Sequence, residues 1–203
     1  MNILIGMEES QTICKAFRNK GHNAYSCDIL PCSGGHPEWH YQCDIYWALF
    51  DRKWDIIICH PVCTKLCVSG NHKYAKGKPG YQERLQAIAD TEILWLMCIK
   101  ICDKICFENP VSVLATESIL LKPQYIQPYE FGHNASKKTG LYLYGLPELK
   151  PTNRVYGRIV NGKERFDNQT DSGQNKLGPS KERSIIRSTT YKGIADAMAD
   201  QWG

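Results

Sequence analysis

A cysteine follows the most apolar stretch of the chain at a position that favours chemistry. The run 54–59 has the pattern of a buried strand, and the His60-Pro61 step after it ends the strand. Cys63 then lies on a short loop, where its thiolate can attack an electron-poor carbon. The alternative is a core cysteine, because free cysteine is among the most buried residue types.

A glutamate occupies a similar position after another predicted strand. Residues 104–107 predict a strand, and Glu108-Asn109-Pro110 follows it. A carboxyl group beside a nucleophile can hold a proton or accept a hydrogen bond from a ring amine. Because Glu-Asn-Pro is also an ordinary turn sequence, neither Cys63 nor Glu108 identifies an active site by itself.

The elements that must position these residues alternate between strands and helices. Strands are predicted at 2–6, 23–27, 41–45, 54–59, 104–107 and 139–144, and helices at 10–20, 83–102, 113–121 and 193–202. Ser10 is the predicted N-cap of the first helix. The apolar face of the second is marked by Leu85, Ile88, Ala89, Ile93, Leu96 and Met97. Residues 64–82 and 150–190 are predicted to be irregular.

This alternation indicates an α/β fold with a doubly wound, mostly parallel sheet. In such sheets, ligands bind beyond the carboxyl ends of the strands. Cys63 and Glu108 lie there, and so do further carboxylates: Glu8 and Glu9 after the first strand, and Asp28 after the second. We therefore expect these side chains in one cleft.

Several segments match the motifs of one enzyme family in order. They are His60-Pro61-Val62-Cys63-Thr64 with Ser69-Gly70 behind it, Glu108-Asn109-Pro110, Phe131-Gly132-His133, Lys137-Lys138-Thr139 leading into Leu141-Tyr142-Leu143, and the tail 193–202. As a set they resemble the carbon-5 cytosine-specific DNA methyltransferases, above all the small phage and prophage-type members that lack a target-recognition domain. The resemblance spans nearly the whole chain except the long polar loop.

The resemblance implies one methyltransferase-like domain over residues 1–203, with a Rossmann-like methyltransferase fold. It also implies S-adenosylmethionine-dependent methyl transfer to carbon 5 of cytosine in DNA. Cys63 would add to carbon 6 of the base as a covalent adduct, and Glu108 would engage the ring nitrogen and the exocyclic amine. A base in duplex DNA would first have to be flipped out.

Further roles follow from the same resemblance. The expected cofactor-binding residues are Gly6, Glu8, Ser10, Asp28, Asp44 and Pro61. Asp28 would hydrogen-bond the ribose hydroxyls, although a strand-end aspartate is also a common turn or capping residue. The expected substrate-binding residues are Asn109, Pro110, Lys138, Arg154 and Arg183.

The positive charge of the chain is concentrated in one polar segment. Residues 151–190 hold eight basic and four acidic side chains, so this segment accounts for the whole net charge of +4. A basic loop on a neutral body is typical of an element that follows a phosphate backbone. A solvated loop with a modest excess of charge is the alternative.

The remaining composition places the chain among cytoplasmic proteins. No apolar run approaches the roughly 18 residues of a membrane span, and the start lacks the basic flank of a signal peptide. The ten cysteines are then expected to be reduced. The group Cys27, Cys32, His36, His40 and Cys43 matches no common zinc spacing, so no metal is expected.

Two alternative functions stay open. The lack of a target-recognition domain favours a free cytosine nucleotide as substrate, whereas the basic segment favours DNA. A non-catalytic nucleic-acid-binding protein that retains the fold is the second alternative, because the first loop, residues 6–11, is poor in glycine. We expect selectivity for a DNA sequence to be low or to be supplied by a partner, and assembly into a homo-oligomer is the alternative to such a partner.

Overall fold

The computed structural model describes residues 1–178 and 189–203. In these ranges the strands are β1 (Asn2–Gly6), β2 (Asn23–Asp28), β3 (His40–Gln42), β4 (Ile56–Cys59), β5 (Ile105–Pro110), β6 (Gln124–Ile126), β7 (Thr139–Tyr144), β8 (Arg158–Val160) and β9 (Lys163–Arg165). The α-helices are α1 (Thr12–Asn19), α2 (Ile45–Leu49), α3 (Asn71–Tyr74), α4 (Tyr81–Ile101), α5 (Leu114–Glu117) and α6 (Lys192–Trp202).

Seven strands form one sheet in the order β3-β2-β1-β4-β5-β7-β6. The pairs from β3 to β5 are all parallel, and β7 runs antiparallel to both of its neighbours. This arrangement confirms the predicted Rossmann-like α/β fold with a doubly wound, mostly parallel sheet. Strands β8 and β9 form a separate antiparallel hairpin.

Both faces of the sheet are covered, which explains why its central strands are continuously apolar. Ile3 and Ile5 of β1 face a core that α1 and α6 complete. Leu4 of the same strand faces the opposite core, to which α2 and α4 contribute. Successive strand residues point to opposite faces, so a strand buried on both sides needs an apolar residue at every position.

The order of the strands creates a cleft at the carboxyl ends of β1 and β4. From β1 the chain winds outward through β2 to β3, then returns to the other side of β1 to build β4 and β5. The connections therefore diverge at this point and leave a crevice between them. Gly6, Cys27, Cys59 and Phe107 lie level with one another across the four strands, so the residues that follow them border the crevice.

The predicted N-cap of the first helix is wrong. Helix α1 begins at Thr12 after Gln11, and the side chain of Ser10 does not cap it. The carboxylate of Glu8 instead accepts hydrogen bonds from the backbone N–H groups of Ile13 (2.7 Å) and Cys14 (3.2 Å). Two carboxyl oxygens from the preceding loop thus satisfy free N–H groups of the first turn, and burial raises the pKa of Glu8.

The predicted buried face of the long helix is also largely wrong. Leu85, Ile93 and Leu96 are exposed, whereas α4 buries Arg84 and Trp95, among others. The helix has apolar residues on several sides, so helical periodicity fits more than one face and cannot choose between them. Only Ile88 belongs both to the predicted face and to the buried one.

Several boundaries differ from the predictions because tertiary pairing decides them. Ile45 starts α2 rather than ending a strand, and only Leu114–Glu117 is helical in the segment 113–121. Glu108-Asn109-Pro110 is not a turn after β5 but its last part, because these residues pair with β7. The predicted irregular loops contain α3 and the β8–β9 hairpin, and the unpredicted β6 exists as the edge partner of β7.

Candidate active site

A cavity of about 540 Å³ opens at the carboxyl ends of β1, β2, β4 and β5. This volume lies in the range of pockets that hold small molecules and cofactors. Its lining includes Cys63 and Glu108 on one side and Asp28 and Asp44 on the other. The structure therefore brings the predicted nucleophile, its predicted partner and two predicted cofactor residues to one cavity.

Cys63 begins a tight turn two residues after Pro61. Its carbonyl accepts hydrogen bonds from the backbone N–H groups of Leu66 (3.0 Å) and Cys67 (2.9 Å), and its thiol is half-buried. The hydrogen bond from the Cys67 side chain lowers the pKa of Cys63 to about 7, outweighing burial and the charge of Glu108. A thiol with this pKa is substantially ionised at neutral pH, which is what a nucleophile requires.

Glu108 is held by an unexpected partner, His60. His60 Nδ1 lies 3.0 Å from Glu108 Oε2, and the two side chains are only 13% and 11% exposed. The contact follows from the register: Cys59, the last residue of β4, is level with Phe107 of β5, so His60 and Glu108 are the residues that follow this level pair. Although burial opposes its ionisation, the hydrogen bond and charge of His60 lower the pKa of Glu108.

Asn109 connects the two loops that carry Cys63 and Glu108. Its side-chain amide donates a hydrogen bond of 2.9 Å to the carbonyl of Pro61. Both residues are buried, and the bond is therefore shielded from competition by water. The resemblance predicts that Asn109 binds substrate, but in the structure its amide contacts the Pro61 carbonyl, while Pro61 and Pro110 line the cavity.

The loop of residues 60–67, which carries the predicted nucleophile Cys63 and is called the nucleophile loop below, is held by a buried arginine. Arg84 of α4 is 2% exposed and donates to the carbonyls of Lys65 (2.7 Å) and Cys67 (3.1 Å) and to Asn71 Oδ1 (2.7 Å). A guanidinium group offers five donors in a fixed plane, which suits several acceptors at once. Arg84 thereby ties the turn that begins at Cys63 to the sheet-covering helix.

The basic side chain at the cavity is Lys137 and not Lys138. Lys137 lines the cavity, whereas the Lys138 ammonium group lies 4.3 Å from the centre of the Tyr125 ring. Successive residues entering a strand point to opposite sides, so a one-residue difference moves a side chain from the cleft to the outer surface. Lys137 also contributes positive potential that favours the anionic forms of Cys63 and Glu108.

The predicted cofactor residues divide into cavity-lining and packing positions. Glu8, Ser10, Asp28, Asp44 and Pro61 line the cavity. Gly6 does not: a Cβ atom there would lie 2.6 Å from Cδ1 of Ile45 and 2.8 Å from Sγ of Cys59. Glycine is therefore required at this strand end by close packing beneath the cavity, not by contact with a ligand.

Asp28 and Asp44 each use one carboxylate oxygen in the fold. Asp28 Oδ1 accepts from the Leu30 N–H (2.9 Å), and Asp44 Oδ1 accepts from the Tyr46 N–H (3.0 Å) at the start of α2. Among the described residues, no hydrogen bond uses the second oxygen of either group. The cavity wall thus carries two anchored carboxylates with spare acceptor capacity, beside the apolar side chain of Ile29.

The first loop adopts backbone conformations that usually call for glycine. Met7 has φ 60° and Gln11 has φ 57°, both in the left-handed region. Each costs a non-glycine residue about 1–2 kcal/mol, so the surrounding structure must hold them. The capping bonds of Glu8 and the bond from its own N–H to the Cys27 carbonyl (3.1 Å) provide this restraint.

The basic segment is partly neutralised by its own acidic residues. Arg154 forms a 2.6 Å ion pair with Glu164, and Arg158 forms a 3.0 Å ion pair with Asp171. Neither arginine lines the cavity. The predicted substrate-binding residue Arg183 lies outside the described residues.

Within the described ranges, no cluster of three or more His, Cys, Asp or Glu side chains could hold a metal ion. None of the helices in the same ranges is long and apolar enough to cross a membrane.

The residues missed by the sequence predictions are His60, Arg84 and Lys137. His60 could have been recognised, because it precedes Cys63 by three residues in the quoted motif and lies on the same loop after β4. Lys137 stands next to the predicted Lys138. Arg84 carries no such signal, since a basic residue in the first turns of a helix is normally exposed.

The fold and the cavity define a doubly wound α/β protein with a cysteine and a carboxylate, both of lowered pKa, at the carboxyl edge of its sheet. No protein-family model matches the chain, and no curated protein matches it in sequence. Its structure is similar to that of a candidate DNA modification methyltransferase encoded within a prophage of E. coli. In that comparison the TM-score is 0.49 and the sequence identity is 11%, over 70% of this chain and 46% of the other.

The structure is also similar to that of the bifunctional kinase-methyltransferase WbdD. The TM-score is 0.43 at 10% identity, over 83% of this chain and 38% of that one. A second structure of WbdD, with the kinase inhibitor LY294002, gives a TM-score of 0.42 at 10% identity, over 81% and 41% of the two chains. The matched region is less than half the length of each of these proteins.

Proposed function

We propose that the protein transfers a methyl group from S-adenosylmethionine to carbon 5 of cytosine in DNA, with Cys63 as the nucleophile and Glu108 as its partner. One observation carries this proposal: Cys63, with a pKa of about 7, and the ionised Glu108 line the same cavity. A protein that only binds nucleic acid has no need of an activated thiol beside a carboxylate.

The chemistry of these two groups fits an aromatic base that must be activated before it reacts. The Cys63 thiolate forms a bond to carbon 6, and the electrons of the broken ring double bond move towards carbon 5 and the ring nitrogen. Glu108 passes a proton from a neighbouring donor to the ring nitrogen, which neutralises this charge, and its carboxylate accepts a hydrogen bond from the exocyclic amine. After transfer, the proton on carbon 5 is lost and the electrons of that bond expel Cys63.

The other half of the cavity suits the cofactor. S-adenosylmethionine supplies an electrophilic methyl group when it is bound. The spare carboxylate oxygens of Asp28 and Asp44 suit ribose hydroxyls and an exocyclic amine, and Ile29 provides apolar wall for a purine ring. Glu8 and Ser10 complete this side of the cavity beneath the first loop.

DNA is the proposed partner, reached by flipping the target base into the cavity. Lys137 at the cavity and the basic segment supply positive charge for the phosphates. A free cytosine nucleotide is the second candidate substrate, and one observation favours it: Arg154 and Arg158 are already paired with carboxylates, which lowers the charge available to follow a DNA backbone.

The test is methyl transfer with both substrates in parallel. The protein is incubated with S-adenosylmethionine labelled in its methyl group and with either cytosine-containing DNA or free deoxycytidine phosphates, and the nucleosides are resolved by mass spectrometry. Labelled 5-methyldeoxycytidine from the DNA arm supports the proposal, and label in the nucleotide arm alone supports the second candidate. Folded protein that labels neither substrate contradicts both.

Matched cysteine variants separate the nucleophile from general effects of thiol removal. Cys63→Ala should abolish transfer while the protein still folds and binds S-adenosylmethionine. Cys32→Ala removes an equally half-buried thiol that does not line the cavity, and it should retain activity. Full activity of Cys63→Ala would refute the covalent mechanism.

A further inference from the structure

His60 is a buried titratable side chain in direct contact with Glu108. Its Nδ1 atom lies 3.0 Å from Glu108 Oε2. Its other nitrogen, Nε2, is buried and has no hydrogen-bond partner among the described residues. The ring therefore exchanges a proton most directly through Nδ1, along the hydrogen bond to Glu108.

Charged groups face this ring from every element around it. Glu108 lies on β5, Glu8 on the loop after β1, and Lys137 just before β7, while Cys63 follows on the same loop as His60. Burial and Lys137 disfavour the imidazolium, but the hydrogen bond and charge of Glu108, with the charge of Glu8, outweigh them and raise the pKa of His60. The pair thus keeps its proton to a higher pH than a free histidine does.

We propose that His60 is a positioning residue that holds the proton which Glu108 delivers to the ring nitrogen of the base. This inference rests on the proposed function, because it assigns the source of a proton in that reaction. Glu108 alone cannot be this source at neutral pH, since its ionised carboxylate is a hydrogen-bond acceptor only.

In this step one proton moves from His60 through Glu108 to the ring nitrogen, and the total charge is conserved. As Cys63 bonds to carbon 6, negative charge develops at the ring nitrogen. The Nδ1–H bond of the imidazolium breaks, the proton passes to the Glu108 carboxylate, and the carboxyl group gives a proton to the ring nitrogen. His60 ends neutral, the thiolate charge has been neutralised on the base, and the reverse transfer restores the pair when Cys63 leaves.

The experiment is the pH dependence of methyl transfer by the wild type and by His60→Asn. The asparagine amide can still donate to Glu108 but cannot titrate. In the wild type, kcat should rise as Cys63 ionises near pH 7 and fall at higher pH as His60 loses its proton. In His60→Asn, kcat should be lower by about 100-fold, with KM for DNA little changed and the alkaline fall absent.

A matched histidine tests whether the effect is specific. His133 is half-buried outside the cavity, where its Nε2 accepts a 2.9 Å hydrogen bond from the Gly193 N–H. His133→Asn should keep both limbs of the profile. If His60→Asn also keeps the alkaline fall, or if its activity equals that of the wild type, the proton role of His60 is refuted while the proposed function stands.

A measurement without substrate separates this result from a failure of the proposed function. Nitrogen-15 NMR of labelled histidines should give a His60 midpoint above 6.5 in the wild type and a lower midpoint in Glu108→Gln. A midpoint that Glu108→Gln does not lower would overturn the inference even if methyl transfer is observed. Wild-type protein that transfers no methyl group would overturn both the proposed function and the role assigned to His60.

Discussion

Replacing Arg84 should loosen the loop that carries the nucleophile. The guanidinium group makes three hydrogen bonds, two of them to carbonyls of the nucleophile loop. Arg84→Met keeps much of the buried volume but removes all three donors. The Cys67 carbonyl retains its hydrogen bond from the Gly70 N–H (3.0 Å), whereas the Lys65 carbonyl loses its hydrogen bond from Arg84 Nε.

The magnitude follows from these bonds. A hydrogen bond to a charged group contributes about 1.5–3 kcal/mol, and a buried acceptor left without a donor costs about 1–3 kcal/mol. Because burying the guanidinium charge is itself unfavourable, its removal offsets part of this loss of stability. We therefore expect Arg84→Met to lower the free energy of unfolding by about 2–4 kcal/mol, and Arg84→Lys by less, because an ammonium group reaches fewer of the acceptors.

Two assays measure the effect. Urea unfolding gives the loss of stability, and the rate of Cys63 alkylation against pH reports the loop. At pH 7, about half of Cys63 should be thiolate in the wild type, against about 3% of an ordinary thiol. In Arg84→Met the midpoint of alkylation should move from about 7 towards the ordinary value, because the turn that places Cys67 beside Cys63 loses its anchor.

A neighbouring residue provides the control. Glu83 contacts the same loop through an exposed 3.2 Å ion pair with Lys65, and Glu83→Gln should cost less than about 1 kcal/mol. Two results would contradict this prediction: a free energy of unfolding for Arg84→Met within about 0.5 kcal/mol of the wild-type value, or an unchanged alkylation midpoint of Cys63.

The remaining predictions concern single groups around the cavity. Gly6→Ala should lower the free energy of unfolding in urea by about 1–3 kcal/mol, because its Cβ would come within 2.6 Å of a core side chain; unchanged stability would contradict this. Cys67→Ala should raise the alkylation midpoint of Cys63 above 7, and an unchanged midpoint would exclude the Cys67 thiol as the cause. Glu108→Gln should destabilise most between about pH 4.5 and 6.5. In this range the lowered pKa of Glu108 and the raised pKa of His60 both stabilise the folded protein. The contribution of Glu108 is lost as the pH falls below this range, and that of His60 is lost as the pH rises above it. If urea unfolding shows a loss of stability that does not depend on pH, the ion pair is disproved.

The central strands could be predicted from the sequence because their burial leaves a direct pattern. Strand β4 is apolar at every position and β1 at every position after Asn2, and the His60-Pro61 step ends β4 as expected. The rule that ligands bind at the carboxyl ends of parallel strands then selected Cys63, Glu108 and Asp28, all of which line the cavity.

Other features depend on pairing that is not visible in local patterns. The contact between His60 and Glu108 requires the register of β4 and β5, and the short strand β6 exists only beside β7. Helix α4 shows the same limit, since its apolar residues fit several faces and only the packed structure selects the face that buries Arg84. Lys137 and Lys138 point to opposite sides because they are adjacent residues at the start of a strand, and local sequence patterns do not show which of the two faces the cavity.

Covalent trapping tests the proposed function most directly. DNA that contains 5-fluorocytosine is incubated with the protein and S-adenosylmethionine, and the products are weighed by mass spectrometry. Because fluorine replaces the proton whose loss releases Cys63, the wild type and Cys32→Ala should accumulate an adduct that carries both DNA and one methyl group, and Cys63→Ala should form none. An adduct that persists in Cys63→Ala, or folded wild-type protein that transfers methyl groups to normal DNA without ever forming an adduct, would contradict the assignment of Cys63 as the nucleophile.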